Sequence, residues 1–374
     1  MVRTILLSIV ALTILSAIFC EDIRKKILND FMDKPTKELF KVYHFLHSKS
    51  YNLDSGEAIK RYRNFKDNLN YIKQRNAENL SFKLGLNQFS DITNEEYRSL
   101  LIPSNEFNAQ EEQMLRFLSE NRNYYVDFDT MADQDNEDMK SPWGVDWSNR
   151  LVKAKDQGKC GASWAFAVTA ALEGNYNIKK NSTSDALVSF SEQQLVDCGT
   201  GKPNGCAAGW WNNLFNYTKL NGIQSENSYP FTSGASGNSG TCQYNSNAAT
   251  IKNTGYRYCT RNKNLGEKTG PCNWAAFMTN AKKGPFITTV DASSPDFQHY
   301  SEGIWQPTDK DCTAANQAIT AVGYDRDQAT WTSYVILRNS FSTSWGENGY
   351  IRVKYSQNTK NTCFITETMF QPDF

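Results

Sequence analysis

The order of helical and strand patterns along the chain restricts its fold more than any other feature. Helical patterns cover residues 163 to about 180, 191–196 and 210–220. β-branched and aromatic residues between Gly, Asp and Asn breaks then mark strands at 286–290, 318–324, 334–338 and 350–355. One further helix, at 274–282, ends before Gly284 and Pro285. Helices that precede strands, rather than alternating with them, predict an α+β fold.

The N-terminus indicates entry into the secretory pathway. Arg3 precedes an apolar run over residues 5–19, which is shorter than the roughly 20 residues of a membrane-spanning helix. We interpret residues 1–20 as a signal peptide cleaved near Cys20, with a membrane anchor as the alternative. The remainder is expected to have no membrane segment. Lysines plus arginines equal acidic residues, at 40 each, so the charge gives no reason to expect nucleic-acid binding.

Eight cysteines follow Cys20. They are Cys160, Cys198, Cys206, Cys242, Cys259, Cys272, Cys312 and Cys363. An even number in a secreted chain indicates disulfides, which could pair in 105 ways. Metal binding is the alternative, but no C-x-x-C pair or histidine cluster supports it, so we expect neither metal nor cofactor. Sequons at Asn79, Asn181 and Asn216 are compatible with glycosylation in the secretory pathway.

A polar stripe lies on a helix predicted from residue 37 to about 78. Six residues share one face of that helix at about 100° per residue: Glu57, Arg61, Phe65, Asn68, Ile72 and Asn76. Polar groups that face a core need hydrogen-bond partners. Residues 103–141 are rich in Asp and Glu and read as an exposed acidic linker, with room for a short helix at 111–118. A recruitment site for a partner is the alternative interpretation of this linker.

A loop leads into the first helix of the C-terminal half, at residues 157–166. Gly158 and Gly161 interrupt regular structure, and the helix begins near Ser163. Backbone N–H groups at such a helix start stabilise a thiolate or an oxyanion.

Four stretches together resemble papain-like, cathepsin L-type cysteine peptidases. They are the polar stripe, a second motif of Gly85, Asn87, Phe89 and Asp91, the loop at 157–166, and residues 316–324. The resemblance implies a helical inhibitory propeptide over residues 21–102. It also implies a papain-like domain over residues 142–374, with a helical lobe and an antiparallel barrel-like lobe facing each other across a cleft. The propeptide would bind in that cleft as an internal partner.

The resemblance also implies how the cysteines pair. By motif position Cys160 would bond Cys206, Cys198 would bond Cys242, and Cys312 would bond Cys363. Cys259 and Cys272 fall outside the usual set of the family and would bond each other.

Four positions match the catalytic residues of the family, and two of them carry the wrong side chain. Gln157 matches the oxyanion glutamine and Asn339 the asparagine that orients the base. Ser163 stands in place of the nucleophilic cysteine, and Gln317 stands in place of the histidine. A hydroxyl needs an adjacent base to act as a nucleophile, and a carboxamide is neither an acid nor a base near neutral pH. Ser163 could instead cap the helix, and Asn339 could hydrogen-bond Gln317.

Three further positions match the substrate-binding part of the cleft. Gly209 is retained, Ala208 replaces a glycine, and Phe341 replaces a tryptophan. The Ala208 methyl would crowd the backbone of a bound peptide. Ser342 replaces the glycine after that tryptophan.

None of the three histidines stands at the position of the missing base, and rescue by His299 would require a shifted base. His44 and His47 fall in the propeptide, where we expect them at the surface, and only His299 falls near the cleft. The sequence therefore predicts a secreted or lysosomal/vacuolar pseudopeptidase that acts by binding a peptide, a protein inhibitor or an active relative. One alternative is a peptidase that uses Ser163 with an unrecognised base. The other is a structural or storage protein of the secretory pathway.

Overall fold

The computed structural model describes residues 21–103, 105–106, 144–199, 205–207, 209, 211–249, 251–260, 272, 274–355 and 362–374. The predicted signal peptide and Ala208 lie outside these residues, as does most of the predicted acidic linker, of which only residues 103, 105 and 106 are described. The chain divides into two compact units: residues 1–78 with 85–93, and residues 79–84 with 94–374.

The first unit is helical. Its helices are α1 (Glu21–Asp30), α2 (Thr36–Leu46) and α3 (Gly56–Ala77). The prediction of one continuous helix from residue 37 to about 78 is therefore wrong, because the chain forms two helices separated by residues 47–55. Ser55 starts α3 by accepting a hydrogen bond from the backbone N–H of Ala58, and Ser48 adopts a left-handed φ of 48°.

The polar stripe on α3 meets the second motif, as the need for partners predicted. Phe65 and Ile72 are fully buried, and the Asn68 side chain donates to the carbonyls of Ser90 (3.0 Å) and Ile92 (2.8 Å). Arg61 pairs with Glu57 at 2.6 Å. The stripe thus holds the turn that contains the second motif.

Asp91, at the end of the second motif, is the centre of a buried polar cluster. It accepts from Tyr43 at 3.0 Å, from Lys49 at 2.7 Å and from Tyr51 at 2.8 Å. The sequence analysis identified Asp91 but none of these three partners, since two of them precede α3 in the unpredicted break.

The two histidines of the first unit do not share a site. The His44 ring bonds the carbonyl oxygen of Tyr51 at 2.7 Å. His47 packs on the Tyr43 ring with centroids 4.7 Å apart, and burial lowers its pKa to about 3. The expectation that both lie at the surface was wrong. Across the described residues, no group of three or more His, Cys, Asp or Glu side chains could hold a metal ion.

The second unit places helices beside a mixed, mostly antiparallel sheet. Its helices are α4 (Asn94–Arg98), α5 (Ser163–Lys179), α6 (Glu192–Gln194), α7 (Trp211–Asn221), α8 (Ser233–Ser236), α9 (Trp274–Lys283) and α10 (Pro295–His299). Its strands are β1 (Phe82–Leu84), β2 (Val145–Asp146), β3 (Gly255–Thr260), β4 (Phe286–Val290), β5 (Tyr300–Trp305), β6 (Gln317–Arg326), β7 (Ser333–Arg338), β8 (Tyr350–Lys354) and β9 (Thr368–Asp373). The α+β prediction is confirmed.

The sheet has the order β1-β5-β8-β7-β6-β4-β9-β3, and β2 pairs with β6. Among the pairings between described strands, only β5–β8 is parallel. Helix α5 packs against β6, and its residues Trp164, Val168 and Leu172 join the hydrophobic core together with Ile287 and Phe370. The first residue of α5 therefore lies against the first residues of β6.

Most predicted elements are present with shifted ends, and several were missed. Ser191 caps α6 by accepting a hydrogen bond from the Gln194 N–H at 2.9 Å, and a π-helix then continues over Leu195–Gly199. Strands β1, β2, β3, β5 and β9 and the short helices α4, α8 and α10 were not predicted. These elements span only two to six residues, too few for periodicity to be decisive.

All four implied disulfides are present: Cys160–Cys206, Cys198–Cys242, Cys259–Cys272 and Cys312–Cys363. Of the sequon asparagines, Asn79 and Asn181 are exposed and Asn216 is half-buried on α7. No helix among the described residues could cross a membrane.

Candidate active site

The loop before α5 is held from both sides. The Lys159 N–H donates to the Gly234 carbonyl at 2.8 Å, and the Cys160 N–H donates to the Gln157 carbonyl at 3.1 Å. Gly158 has a φ of 56°, and a Cβ there would lie 2.4 Å from the Gly234 oxygen, so only glycine fits. This geometry fixes Gln157 beside the start of α5.

Ser163 is the first residue of α5 and is fully buried. The N-cap is Ala162, so the capping role considered for Ser163 is wrong. The Ser163 Oγ instead accepts a hydrogen bond from the Ala318 N–H at 3.2 Å. The hydroxyl therefore lies against β6, at the residue that directly follows Gln317 in the sequence. It also lies at the N-terminus of the 17-residue helix α5, which is the positive end of the helix dipole.

Gln317 is the centre of a network of neutral side chains. Its Nε2 lies 3.0 Å from Asn339 Oδ1, 3.2 Å from Gln157 Oε1 and 3.2 Å from Ser340 Oγ. Its Oε1 is buried and has no hydrogen-bond partner among the described residues. Because all three acceptors surround Nε2, Oε1 is turned away from them.

Ser340 completes this network, and the sequence analysis missed it. Its Oγ donates to Gln157 Oε1 at 2.5 Å, and its N–H donates to Asn339 Oδ1 at 2.8 Å. The hydrogen bond predicted between Asn339 and Gln317 is thus present and shares its acceptor with Ser340. The signal was available, since Ser340 directly follows Asn339 in the matched motif.

The orientation of Gln157 follows from these contacts. Since Oε1 faces Ser340 and Gln317, Nε2 faces the opposite way, where it donates to the Cys160 carbonyl at 3.1 Å and the Leu100 carbonyl at 3.5 Å. An amide donor is therefore fixed at the Cys160 carbonyl, three residues before Ser163 in the chain.

The segment that follows α4, residues 99–102, lies in the site and is called the tail below. The Ile102 N–H donates to the Asn316 carbonyl at 3.0 Å, and the Ile102 side chain joins the core cluster of Trp164 and Ala318. Upstream, Asn94 Nδ2 bonds the Ser293 carbonyl at 3.1 Å. The tail thus occupies the position next to the catalytic-type residues.

Phe341 follows Ser340 in the chain and packs against two aromatic rings. It is 1% exposed, and its ring meets the edges of Trp345 and Tyr97 at centroid distances of 5.8 Å and 6.0 Å. Ser342 follows with a φ of 57°. The chain therefore retains a glycine-type backbone conformation without a glycine, at a cost of roughly 1 kcal/mol.

Gly209 has a packing role in addition to the predicted one. A Cβ at this position would lie 2.5 Å from the Trp164 ring. Glycine is therefore required here by the first turn of α5, whether or not a peptide approaches. Ala208 lies outside the described residues, and its role stays a prediction.

A buried ionic cluster lies behind the site. Lys155 Nζ is 2.8 Å from Glu192, 3.1 Å from Glu173 and 3.6 Å from Glu226, and Arg338 pairs with Glu173 at 3.3 Å. Burial raises the pKa of the Glu192 carboxyl above its ordinary value, and the adjacent Lys155 opposes this increase. A small cavity is lined by residues of this cluster and by Asn339 and Ser340.

His299 ends α10 and is 1% exposed. Neither ring nitrogen has a hydrogen-bond partner among the described residues. Burial lowers its pKa to about 3, which the nearby Asp296 opposes only in part. The structure thus holds a neutral imidazole in a packed environment and shows no hydrogen bond from it to Ser163.

We expect His299 to make the protein less stable in acid. Its pKa in the fold lies below its ordinary value of 6.5, so the unfolded chain binds more protons below pH 6.5 and the stability falls as the pH drops from there toward 3. The loss attributable to His299 is about 2 kcal/mol by pH 5. Denaturant unfolding of the parent and of His299→Leu between pH 8 and pH 5 measures it. An identical pH dependence in both proteins would contradict this assignment.

The chain matches two family models over most of its length. Residues 141–372 match the papain family cysteine protease model, and residues 40–97 match the cathepsin propeptide inhibitor domain model. The cathepsin L-like proteinase of Fasciola hepatica is 32% identical over 343 residues, covering 90% of this chain and 93% of that protein. Ananain of Ananas comosus is 35% identical over 305 residues, covering 80% of this chain and 77% of that protein.

Solved precursor structures share the fold. A recombinant stem bromelain precursor aligns with a TM-score of 0.73 and 30% identity, covering 91% of this chain and 99% of that chain. Digestive procathepsin L 3 from the larval midgut of Tenebrio molitor aligns with a TM-score of 0.70 and 28% identity, covering 91% of this chain and 100% of that chain.

Proposed function

Because the chain belongs to the papain family of cysteine peptidases and carries the propeptide inhibitor domain of cathepsins, we propose that it is a pseudopeptidase that binds peptide segments without cleaving them. The observation that carries this proposal is the position of Gln317. Its carboxamide makes hydrogen bonds to Gln157, Asn339 and Ser340, where the family places a histidine. No group in this network can take a proton from Ser163 near neutral pH.

The binding side of the site supports the same proposal. Gln157 Nε2 is fixed by Ser340 and faces the Leu100 carbonyl of the tail. A donor that already contacts a peptide carbonyl can contact the carbonyl of another peptide. The first occupant of the cleft is therefore the propeptide of the same chain. Other occupants would be peptide segments of a protein inhibitor or of an active relative.

We further propose that the protein passes through the secretory pathway toward a lysosome, a vacuole or the extracellular space. Four disulfides support this route. On this proposal residues 1–20 are the signal peptide, 21–102 the propeptide, 103–141 the linker and 142–374 the papain-like domain. Glycans at the exposed Asn79 and Asn181 would be compatible with the fold.

Peptide capture tests the binding function. We define the open-cleft chain as the full chain with Tyr97→Ala and Ile102→Ala, which removes two buried contacts of the tail and its helix. The immobilised open-cleft chain is expected to retain peptides with blocked termini from a random library. Adding Gln157→Ala is expected to reduce the amount of recovered peptide by about 5- to 10-fold, because the hydrogen-bond donor Gln157 Nε2 is lost. Mass spectrometry quantifies the bound peptides.

Leu220→Ala serves as the matched control, because this side chain is 72% exposed on α7. It should leave the recovery unchanged. A folded open-cleft chain that retains no peptide would refute the proposed function.

A further inference from the structure

We propose that Asp291 is a positioning residue of the cleft, whose buried carboxylate fixes the backbone carbonyls of Ser293 and Asn316 as acceptors for a bound peptide segment. This inference rests on the proposed function, because it specifies how the same cleft holds a peptide. Asp291 directly follows strand β4, which ends at Val290. It stands at none of the four positions that match the catalytic residues of the family.

The Asp291 carboxylate is fully buried and accepts hydrogen bonds on both oxygens. Oδ1 accepts from the Ser293 N–H at 2.9 Å and from Asn316 Nδ2 at 2.9 Å. Oδ2 accepts from the Thr313 N–H at 2.7 Å, from the Thr313 hydroxyl at 3.0 Å and from the Ala314 N–H at 3.0 Å. Burial raises the pKa of Asp291, but these hydrogen bonds outweigh burial and hold the pKa below its ordinary value. The group is therefore a charged carboxylate at pH 7.

The bond to Asp291 is one of several that fix Asn316. Its Nδ2 also donates to Ser293 Oγ at 2.6 Å, and its Oδ1 accepts from the Ala292 N–H at 2.8 Å. Its backbone N–H donates to the Val290 carbonyl at 3.1 Å. The loop after β4 thus holds both ends of the side chain and the backbone donor, so the carbonyl has a fixed direction.

Residues 94–102 of the chain already use both carbonyls. The Asn316 carbonyl accepts from the Ile102 N–H at 3.0 Å, and the Ser293 carbonyl accepts from Asn94 Nδ2 at 3.1 Å. Asp291 contacts both acceptor residues through the same oxygen, Oδ1. One buried charge therefore sets the relative position of two acceptors that contact opposite ends of one segment.

Such an acceptor pair favours binding because it is ordered before the peptide arrives. A site that must be ordered during binding loses part of its interaction free energy to that ordering. Without the carboxylate, the N–H groups of Thr313 and Ala314 would lose their acceptor, and the tie between Ser293 and Asn316 would be lost. We therefore expect Asp291 to determine how strongly the cleft distinguishes a ligand that has the N–H from one that lacks it.

Three fluorescent probes test the inference with the open-cleft chain. The first is an acetylated copy of residues 94–103 with a C-terminal amide, which supplies the Tyr97 and Ile102 side chains that the open-cleft chain lacks. In the second, an ester joins residues 101 and 102, so that an oxygen replaces the N–H of Ile102. In the third, the ester joins residues 100 and 101 and removes the Leu101 N–H, which donates to the Arg98 carbonyl at 3.1 Å within the segment. Fluorescence anisotropy at pH 7 gives each dissociation constant.

The first probe is expected to bind the open-cleft chain about 5- to 100-fold more tightly than the second, because the ester has no donor for the Asn316 carbonyl. Adding Asp291→Asn should reduce this ratio at least about threefold, because a carboxamide carries no charge and turns an N–H toward other donors. The ratio of the first probe to the third should stay within about twofold in the variant, since the Leu101 N–H bonds within the probe.

Asp185→Asn is the matched control, because Asp185 is exposed in a short 3-10 helix. It should leave both ratios unchanged. A loss of stability alone lowers the amount of folded protein and affects all three probes alike. The ratios therefore report positioning rather than stability.

Asn316→Ala tests the same link from the other side. It removes the bond between Asp291 and residue 316 and keeps those to Ser293, Thr313 and Ala314. It should reduce the ratio of the first probe to the second as Asp291→Asn does, and it decides the matter if Asp291→Asn does not fold.

The outcomes separate the inference from the proposed function. An unchanged ratio of the first probe to the second, in either folded variant, would overturn the role given to Asp291 while peptide binding stands. Equal binding of these two probes to the open-cleft chain would do the same. If none of the probes binds the folded open-cleft chain, the proposed function fails together with the inference.

Discussion

Thiol-dependent peptidase activity is expected to appear when Ser163→Cys and Gln317→His are combined in the open-cleft chain. The parent lacks both the nucleophile and the base, and the loss of either one costs about a millionfold in a serine peptidase, with little further cost for the second. We therefore expect no detectable turnover in the parent or in either single variant. The double variant should exceed them by at least about 10³-fold.

The geometry favours recovery of a working pair. Asn339 Oδ1 lies 3.0 Å from Gln317 Nε2, so a histidine at 317 would find an orienting acceptor in place. Position 163 lies at the start of α5, where the helix lowers the pKa of a thiol. Hydrolysis of fluorogenic peptides, with and without a thiol-alkylating reagent, measures the gain.

Two outcomes would contradict this prediction. Turnover in the parent that disappears in Ser163→Ala would show that the hydroxyl already has a base. A folded double variant without activity would show that Phe341, Ser342 or Ala208 has removed more of the machinery than the two catalytic replacements.

Lys155→Met is expected to lower the free energy of unfolding by about 3–5 kcal/mol. The substitution leaves Glu173, Glu192 and Glu226 with one cation fewer, and Glu173 and Glu192 are fully buried. Breaking one side of a buried ionic cluster costs more than the pair contributes, because uncompensated charge stays in the interior. Urea unfolding at pH 7 measures the change.

Lys179→Met is the matched control, because Lys179 is an exposed residue near the end of α5. Its effect should stay within about 0.5 kcal/mol. If Lys155→Met lowers the free energy of unfolding by less than about 1 kcal/mol, the prediction is contradicted. The carboxyl groups of the cluster would then become protonated at little cost when Lys155 is absent.

The sequence identified the site residues by motif but missed the groups that hold them. Gln157, Ser163, Gln317 and Asn339 stand in recognisable stretches, whereas Ser340 looks like an ordinary polar residue. Its role depends on a contact with Gln157, 183 positions away. No local pattern encodes such a contact.

The same limit explains the errors in the fold. The six-residue stripe on α3 was predictable because helical periodicity is local. The break before α3 depends on Lys49 and Tyr51, which bond Asp91 about 40 positions later. Strands β3 and β9 each have six residues, and their pairing joins distant parts of the chain.

Strand β1 links the order of synthesis to the order of folding. Phe82 and Lys83 pair with Gly303 and Glu302, and Ser81 donates to Ile304 across 223 positions. A newly made chain therefore carries one edge of its sheet long before the matching strand leaves the ribosome. Contacts at such separation slow folding, because a long loop must close first.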